Sequence, residues 1–563
     1  MKIVKTKQMY ILLIIACMLV VTACGKQAET STSPKPTNEA SPATPAVSEE
    51  AIDPLGKYDP PIEITAVKHL NETAKFFPGE SIDNNVWSKA YEDMLGVKVK
   101  YNWVVTGSID QYNQKLNVSM TSNELPDIMS VNVTQLGQLN AGDQLADLTE
   151  IFDKYASPLT KEVMAGDGGV AIKSGTFDGK LKALPFMGGD VDAVPLLWVR
   201  TDWLQNLNLS EPKSMDDVLK IAEAFTKQDP DGNGKNDTFG LATTKDIWGG
   251  WAGLEGFFNS YHAYPGIWVK DASGNLVYGD IQPEMKTALA KLQELYKAGI
   301  LDKEFGVKDG TKVAESLTSG KVGIQYGQMW NSLFPLQDGK NKDPKMEWKS
   351  FSIPSIDEKP AMGAVGFPIS QYFVITKNAK HPEAIVKLLN LWLEVHYGNE
   401  LDMDRTKFTG KDGVETNNFV LVLSSKAREN LEAYYHVKDA FASNDTSKLS
   451  YAEVDYHKYI SQYRSGDNKQ WGYERVFGTP SSWEVIDKML QNKQILKNAY
   501  IGAPTPGMLE RKSTLDKLEL ETFTKIIYGN ADPDEFDKFV TDWKKLGGDQ
   551  ITKEVNDWNS AQK

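Results

Sequence analysis

The sequence predicts an α/β protein built on a parallel, doubly wound sheet, and three observations carry that prediction. Short apolar strands alternate with helical segments from residue 62 onward. The 563 residues are 41% hydrophobic and 10% aromatic, enough for two or three domains with sizeable cores. Only two cysteines, Cys17 and Cys24, are present, so the fold rests on packing rather than on disulfides.

Residues 62–67 alternate apolar and polar side chains and read as the first strand. Val86, Trp87, Ala90, Tyr91 and Met94 recur at helical spacing over 84–95, and Gly96 stops that helix. Residues 97–101 form a second strand, 112–122 a helix and 126–131 a third strand. A buried strand follows at 196–200. Ser214 then caps a helix through Phe225, with Asp217 in near capping-box position. Further strands are predicted at 322–326 and 372–376, a helix at 382–395, and a mostly helical C-terminal third.

Before the first strand the chain reads as an export and anchoring device. Lys2, Lys5 and Lys7 precede an apolar run from Met9 to Val21. At about thirteen residues the run is a secretory core, short of the roughly 20 needed to span a bilayer. Small residues then lead to Cys24, the lipobox pattern in which the thiol takes a diacylglyceryl group with palmitate-class chains. Residues 1–23 are therefore a signal peptide, and 24–60, rich in Ser, Thr, Pro and Ala, a disordered tether. The expected location is the outer face of the cell membrane, held by lipid. Formal charge is −14, becoming about −17 once the three lysines leave, which argues against nucleic acid as a partner.

Several segments in order resemble the extracellular solute-binding proteins of bacterial carbohydrate ABC transporters, in particular the large lipoprotein subgroup of LplA or LipO type. They are Leu125-Pro126-Asp127-Ile128, Gly179-Lys180-Leu181-Lys182-Ala183-Leu184-Pro185 and Val199-Arg200-Thr201-Asp202-Trp203-Leu204. Asp229-Pro230-Asp231-Gly232-Asn233-Gly234, His381-Pro382-Glu383-Ala384 and Trp543-Lys544-Lys545-Leu546-Gly547-Gly548 complete the set. The resemblance implies a two-lobed, periplasmic-binding-protein-like α/β fold over 61–563, with a ligand cleft at the hinge. On that analogy one lobe takes about 61–189 and 355–395, the other about 190–354 plus part of the C-terminal region. Crossings are expected near 188–192 and 353–360, and 400–470 stays unassigned. The implied partners are an oligosaccharide and the membrane permease subunits, with the protein a monomer.

One motif carries explicit chemistry. Asp229, Asp231, Asn233, Lys235 and Asp237 fall at positions one, three, five, seven and nine of an EF-hand-type loop, with Gly234 at the sharp turn. Such spacing wraps oxygen ligands round Ca²⁺, with Lys235 offering its carbonyl and a structural role for the ion. Position twelve is Gly240 instead of a bidentate glutamate, so water, Thr238 or a distant residue must complete the shell.

Sugar sites stack pyranose faces on aromatic rings and bond hydroxyls with carboxylates and amides. Of the 14 tryptophans, Trp248, Trp251, Trp330 and Trp471 sit in glycine-rich or polar surroundings and are expected in the cleft, with Tyr326 beside them. Asp190 and Asp192 are expected there from the first crossing. Trp203, Trp392 and Trp543 are assigned to packing. No Gly-x-Ser-x-Gly, His-Glu-x-x-His or phosphate-binding loop occurs, and the six histidines have no metal-ligand spacing. A binding protein rather than an enzyme is expected. A glycan-binding sensor or adhesin without import, or a polysaccharide-degrading lipoprotein, are the alternatives.

Overall fold

The computed structural model describes residues 52–189, 191–367, 369, 371–411 and 413–562. The signal peptide, Cys24, most of the tether and Asp190 lie outside the described residues. From Ile52 onward the chain forms one unit. Its body starts ahead of the boundary expected at 61: Leu55 and Tyr58 pack on the first core, and Asn390 and Lys387 donate to the carbonyls of Pro54 and Gly56.

In chain order, the first sheet takes β1 (Ile62–Leu70), β2 (Val97–Thr106), β3 (Ile128–Val131) and β4 (Leu184–Pro185). The second takes β5 (Leu196–Arg200), β6 (Phe239–Leu241), β7 (Trp251–Gly253), β8 (Val322–Gly327) and β9 (Trp348–Phe351). Then β10 (Gly363–Val365) pairs with the late strand β12 (Ile495–Lys497), and β11 (Tyr372–Ile375) returns to the first sheet. The orders are β2-β1-β3-β11-β4 and β9-β5-β8-β6, with β7 on β8.

Local sequence explains the elements. Asn85, Ser108, Asn132 and Ser214 each close a capping box, satisfying amides that a helix start otherwise leaves open. Gly96, at φ 66°, ends the first helical segment in the left-handed region that glycine enters freely. The helix Ala384–Tyr397 is buried on every side from Ala384 to Val395. Each Leu, Ile or Val hidden there contributes about 1.5–3 kcal/mol over exposure, which makes it the spine of the first lobe.

The parallel sheet expected from the strand–helix alternation holds for β1, β2 and β3. β11 runs antiparallel to both β3 and β4. The reason is where it comes from. It enters the sheet from a crossing, so its first residue, Tyr372, lies opposite Val131 and Pro185 at the far ends of their strands. The second sheet obeys the same geometry: Gly327 at the end of β8 pairs with Leu196 at the start of β5. Both sheets thus present strand C-termini to the edge where the chain crosses between lobes.

Three segments cross that edge. The first follows Pro185 and the second precedes Tyr372. The third runs between Val422 and Leu431, because residues from Phe408 to Val422 pack on the first core and those from Leu431 on pack with Trp198 and Trp348. The expected crossing at 353–360 is corrected: Met215 N donates to Ser355 O and Ile356 N to Ser260 O, both at 3.0 Å, so that stretch belongs to the second lobe. The unassigned 400–470 region is divided between the lobes. The three crossings bond one another: Phe186 N to Gln371 O at 2.9 Å, Met187 N to Ser424 Oγ at 3.0 Å, and Ser425 N to Met187 O at 3.2 Å.

Candidate functional site

At the crossing edge of the first sheet lies a groove of about 400 Å³. The end of β1 supplies Lys68 and His69, the end of β3 supplies Ser130 and Asn132, and the helix Ile109–Ser122 supplies Asn113. Gln371 enters from the second crossing and Asn418 from the first-lobe segment that leads into the third. The Lys68 ammonium donates to the Val420 carbonyl, and burial pulls its pKa down to about 8. His69 Nε2 lies 2.9 Å from Gly107 O, and Gln371 Nε2 donates to Ser130 Oγ. The wall is rich in amides and hydroxyls, groups that both donate and accept.

On the second lobe a groove of about 300 Å³ is lined by Pro195, Gly250, Glu255, Tyr326 and Gln328. A smaller cavity of about 90 Å³, lined by Met187, Gly188 and Phe367 of the crossings, shares Gly366 with it. Glu255 accepts from Gly249 N at 2.9 Å, and burial raises its carboxyl to about 7. Beside this groove Trp251 meets Trp330 edge to face at 5.7 Å, and Phe334 lies 5.3 Å from Trp251. Trp330 donates to Gln328 Oε1 at 2.7 Å, tying the ring to the groove wall. The glycines of this region are contact surfaces. A Cβ on Gly250 would come within 2.9 Å of the Trp330 ring, and one on Gly310 within 2.9 Å of Trp251.

Of the residues expected in the cleft, Tyr326 forms part of the groove wall, and Trp251 and Trp330 stand next to it as half-buried rings. Asp192 accepts from Asn430 Nδ2 at 2.6 Å, linking the first crossing to the helix after the third. Trp248 turns away, packs at 5.4 Å from Phe258 and faces a separate cavity. Trp471 is a correction: it is fully buried, and its indole N–H donates to Glu347 Oε2 at 3.0 Å. The helices Glu429–Ser443 and Tyr451–Arg464 of the inserted region cover it with packing its polar neighbours gave no sign of. Trp203, Trp392 and Trp543 lie in the cores. Lys68, His69, Asn132 and Gln371 were missed, although three of them directly follow predicted strand ends.

The aspartate loop has its turn glycines, Gly232 and Gly234, at φ 68° and 74°. Asp229 accepts the amides of Asn233 at 3.1 Å and Gly234 at 2.9 Å. Asp231 and Asp237 converge on the Asn233 amide nitrogen at 2.7 and 3.1 Å, and Asp237 also takes Lys321. Burial, then Asp237 and Asp229 nearby, raise the Asp231 carboxyl. A hard cation at the focus of the carboxylates would first have to displace the Asn233 NH₂ that Asp231 and Asp237 hold there. Among the described residues no group of three or more acidic, His or Cys side chains is placed so that it could hold a metal ion.

Two α/β lobes joined by three crossings, with a groove beside the crossings on each lobe, have the architecture of a cleft-type solute-binding protein. Residues 79–394 match the family model of bacterial extracellular solute-binding proteins, and the chain belongs to that family. It is 26% identical over 499 residues to Lipoprotein LipO of Bacillus subtilis (strain 168), spanning 85% of this chain and 89% of LipO. It is 26% identical over 482 residues to the polygalacturonan/rhamnogalacturonan-binding protein YtcQ of the same organism, 83% of this chain and 87% of YtcQ. The fold is similar to that of the S. pneumoniae ABC-transporter substrate-binding protein FusA in complex with kestose, at TM-score 0.59 and 16% identity. That match covers 89% of this chain and 100% of FusA. No helix among the described residues is long and apolar enough to cross a membrane.

Proposed function

We propose that this protein captures an oligosaccharide between its lobes and delivers it to the permease of an ABC transporter, held at the outer membrane face by lipid on Cys24. The observation that carries the reading is the pairing of two unlike grooves on one crossing edge. The first-lobe groove offers amides and hydroxyls for sugar hydroxyls, and the second offers Glu255 and Gln328, with the Trp251 and Trp330 rings beside it. A hydroxyl-rich ligand left unpaired costs about 1–3 kcal/mol per buried group, so a wall of Asn113, Asn132, Gln371 and Asn418 suits it. The relative YtcQ, a polygalacturonan/rhamnogalacturonan-binding protein, supports a glycan ligand.

Lobe closure is the mechanism. Sugar contacts to both grooves favour the closed form, and the bonded crossings act as the hinge. The aspartate loop, with Asp229, Asp231, Asn233, Lys235 and Asp237, holds Ca²⁺ as a structural ion that neutralises crowded carboxylates. It lies between the helix Met215–Lys227 and β6, remote in sequence from the groove residues of the first lobe.

Titration calorimetry of the lipid-free protein against a panel of plant and bacterial oligosaccharides tests the reading. One member of the panel should bind, and Asn113→Ala and Gln371→Ala should each weaken it at least tenfold. Binding unaffected by either variant, or release of shorter products during the titration, would overturn it.

A further inference from the structure

The groove on the first lobe carries a cation without a counter-charge. Lys68 is half-buried in its wall, and its ammonium donates to the Val420 carbonyl. Among the described residues no carboxylate lines this groove and none is paired with Lys68, although the chain's formal charge is −14. Lysines hidden elsewhere are matched: Lys308 lies 2.7 Å from Asp302, and Lys340 is paired with Glu347. A charge withdrawn from water with no opposite charge beside it is costly, so Lys68 is placed for a partner that arrives with the ligand.

A neutral neighbour leans the same way. β3 lies next to β1 in the sheet, and Asn132 directly follows its end. Asn132 Oδ1 accepts Gln135 N at 2.9 Å, which leaves its NH₂ as a donor without a partner among the described residues. With the ammonium hydrogens that Val420 does not use, the wall offers donors to an oxyanion. We infer that the oligosaccharide taken by this groove is acidic, and that the carboxylate of a uronic acid residue pairs with Lys68. The inference rests on the oligosaccharide reading and narrows its ligand. One ammonium balances the single charge of a carboxylate, whereas a phosphate ester, at about −1.5 to −2 near neutral pH, would be left in excess. The second groove, with Glu255 in its wall, suits an anion less.

Burial holds the Lys68 ammonium down to about 8, which gives the pairing a proton signature. A bound carboxylate favours the charged form and moves that value back up. Binding at pH 8 therefore takes up protons, and affinity falls as pH climbs above 8. The other ionisable groups of the wall are His69, beside Lys68 on β1, and Tyr112 on the helix Ile109–Ser122, whose phenol donates to Ser130 O at 2.8 Å. The wall residues from β3, from β11 and from 417–423 are uncharged.

Calorimetry at constant calcium and salt tests the inference with a glucuronosyl xylotriose, a mannuronate trimer and a galacturonate trimer, each beside its carboxyl-reduced neutral counterpart. At least one acid should bind wild type at least tenfold more tightly than its counterpart, with proton uptake at pH 8 in a two-buffer comparison. Lys68→Met should weaken that acid at least tenfold and abolish the uptake. Counterparts that bind as tightly as the acids overturn the inference and leave the oligosaccharide reading standing. Failure of all three acids to bind also overturns it, and the wider oligosaccharide panel then decides the parent reading by itself. A preference that survives in Lys68→Met overturns the pairing. Should that variant fail to fold, the wild-type preference and its proton uptake decide.

Discussion

The Ser424 hydroxyl accepts the amide of Met187 at 3.0 Å and itself donates to the carbonyl of Pro185 at 3.2 Å. A residue of the third crossing thus holds the first crossing on both sides of Phe186, whose own amide is bonded to Gln371 of the second. Ser424 is fully buried, so both main-chain groups depend on it.

Ser424→Ala leaves the Met187 amide and the Pro185 carbonyl without that partner. The cost of an orphaned buried group is about 1–3 kcal/mol. The urea midpoint should fall accordingly with an unchanged slope, as read by circular dichroism. An unchanged midpoint would mean that the crossings do not depend on this hydroxyl.

Trp471→Ala should destabilise by about 3–5 kcal/mol, because it empties a fully buried site and strips Glu347 of an indole donor. Trp471→Phe keeps most of the volume and should cost less. Where the Phe variant folds, oligosaccharide affinity should match wild type; a tenfold loss would return the ring to the cleft.

Glu255 has a folded pKa of about 7 against an ordinary value of 4.5. A raised folded pKa means that its favourable contribution is complete below pH 4.5 and is lost as pH climbs through 7. Glu255→Gln removes the titration while still accepting from Gly249. Its melting temperature relative to wild type should therefore be lowest at acid pH and rise to a plateau by about pH 8. A difference that does not vary with pH would show that the group does not titrate in that range.

Calcium should stabilise the chain through the aspartate loop, by about 2.7 kcal/mol at a hundredfold excess over its Kd. Asp231→Asn should abolish the increase in melting temperature and, by relieving crowding, raise that of the chelated protein. Identical melting curves in calcium and chelator, with no calcium by atomic emission, would rule the ion out.

The first lobe was largely legible in the sequence because its signals are local. The alternation in 62–67, the periodic apolar residues of 84–95 and the capping pairs each act within a few residues. What escaped depends on distance. β10 finds β12 across some 130 residues, and no periodicity announces that pairing, so the second crossing was set too early. Trp471 reads as exposed beside Gln470 and Gly472 because its cover comes from helices elsewhere. The amide wall is assembled from Asn113, Asn132 and Gln371, three isolated polar residues that only the crossing edge brings together.

The bonded crossings have one more consequence. Three segments tied to one another by hydrogen bonds oppose sliding of one lobe past the other more than bending across their common line. In the proposed closure such a joint would swing as a door leaf does on its frame, about one axis, instead of as a ball in a socket. Each such closure would return the same rings to the same amides, so solutes would be screened by whether they fill a gap of fixed shape.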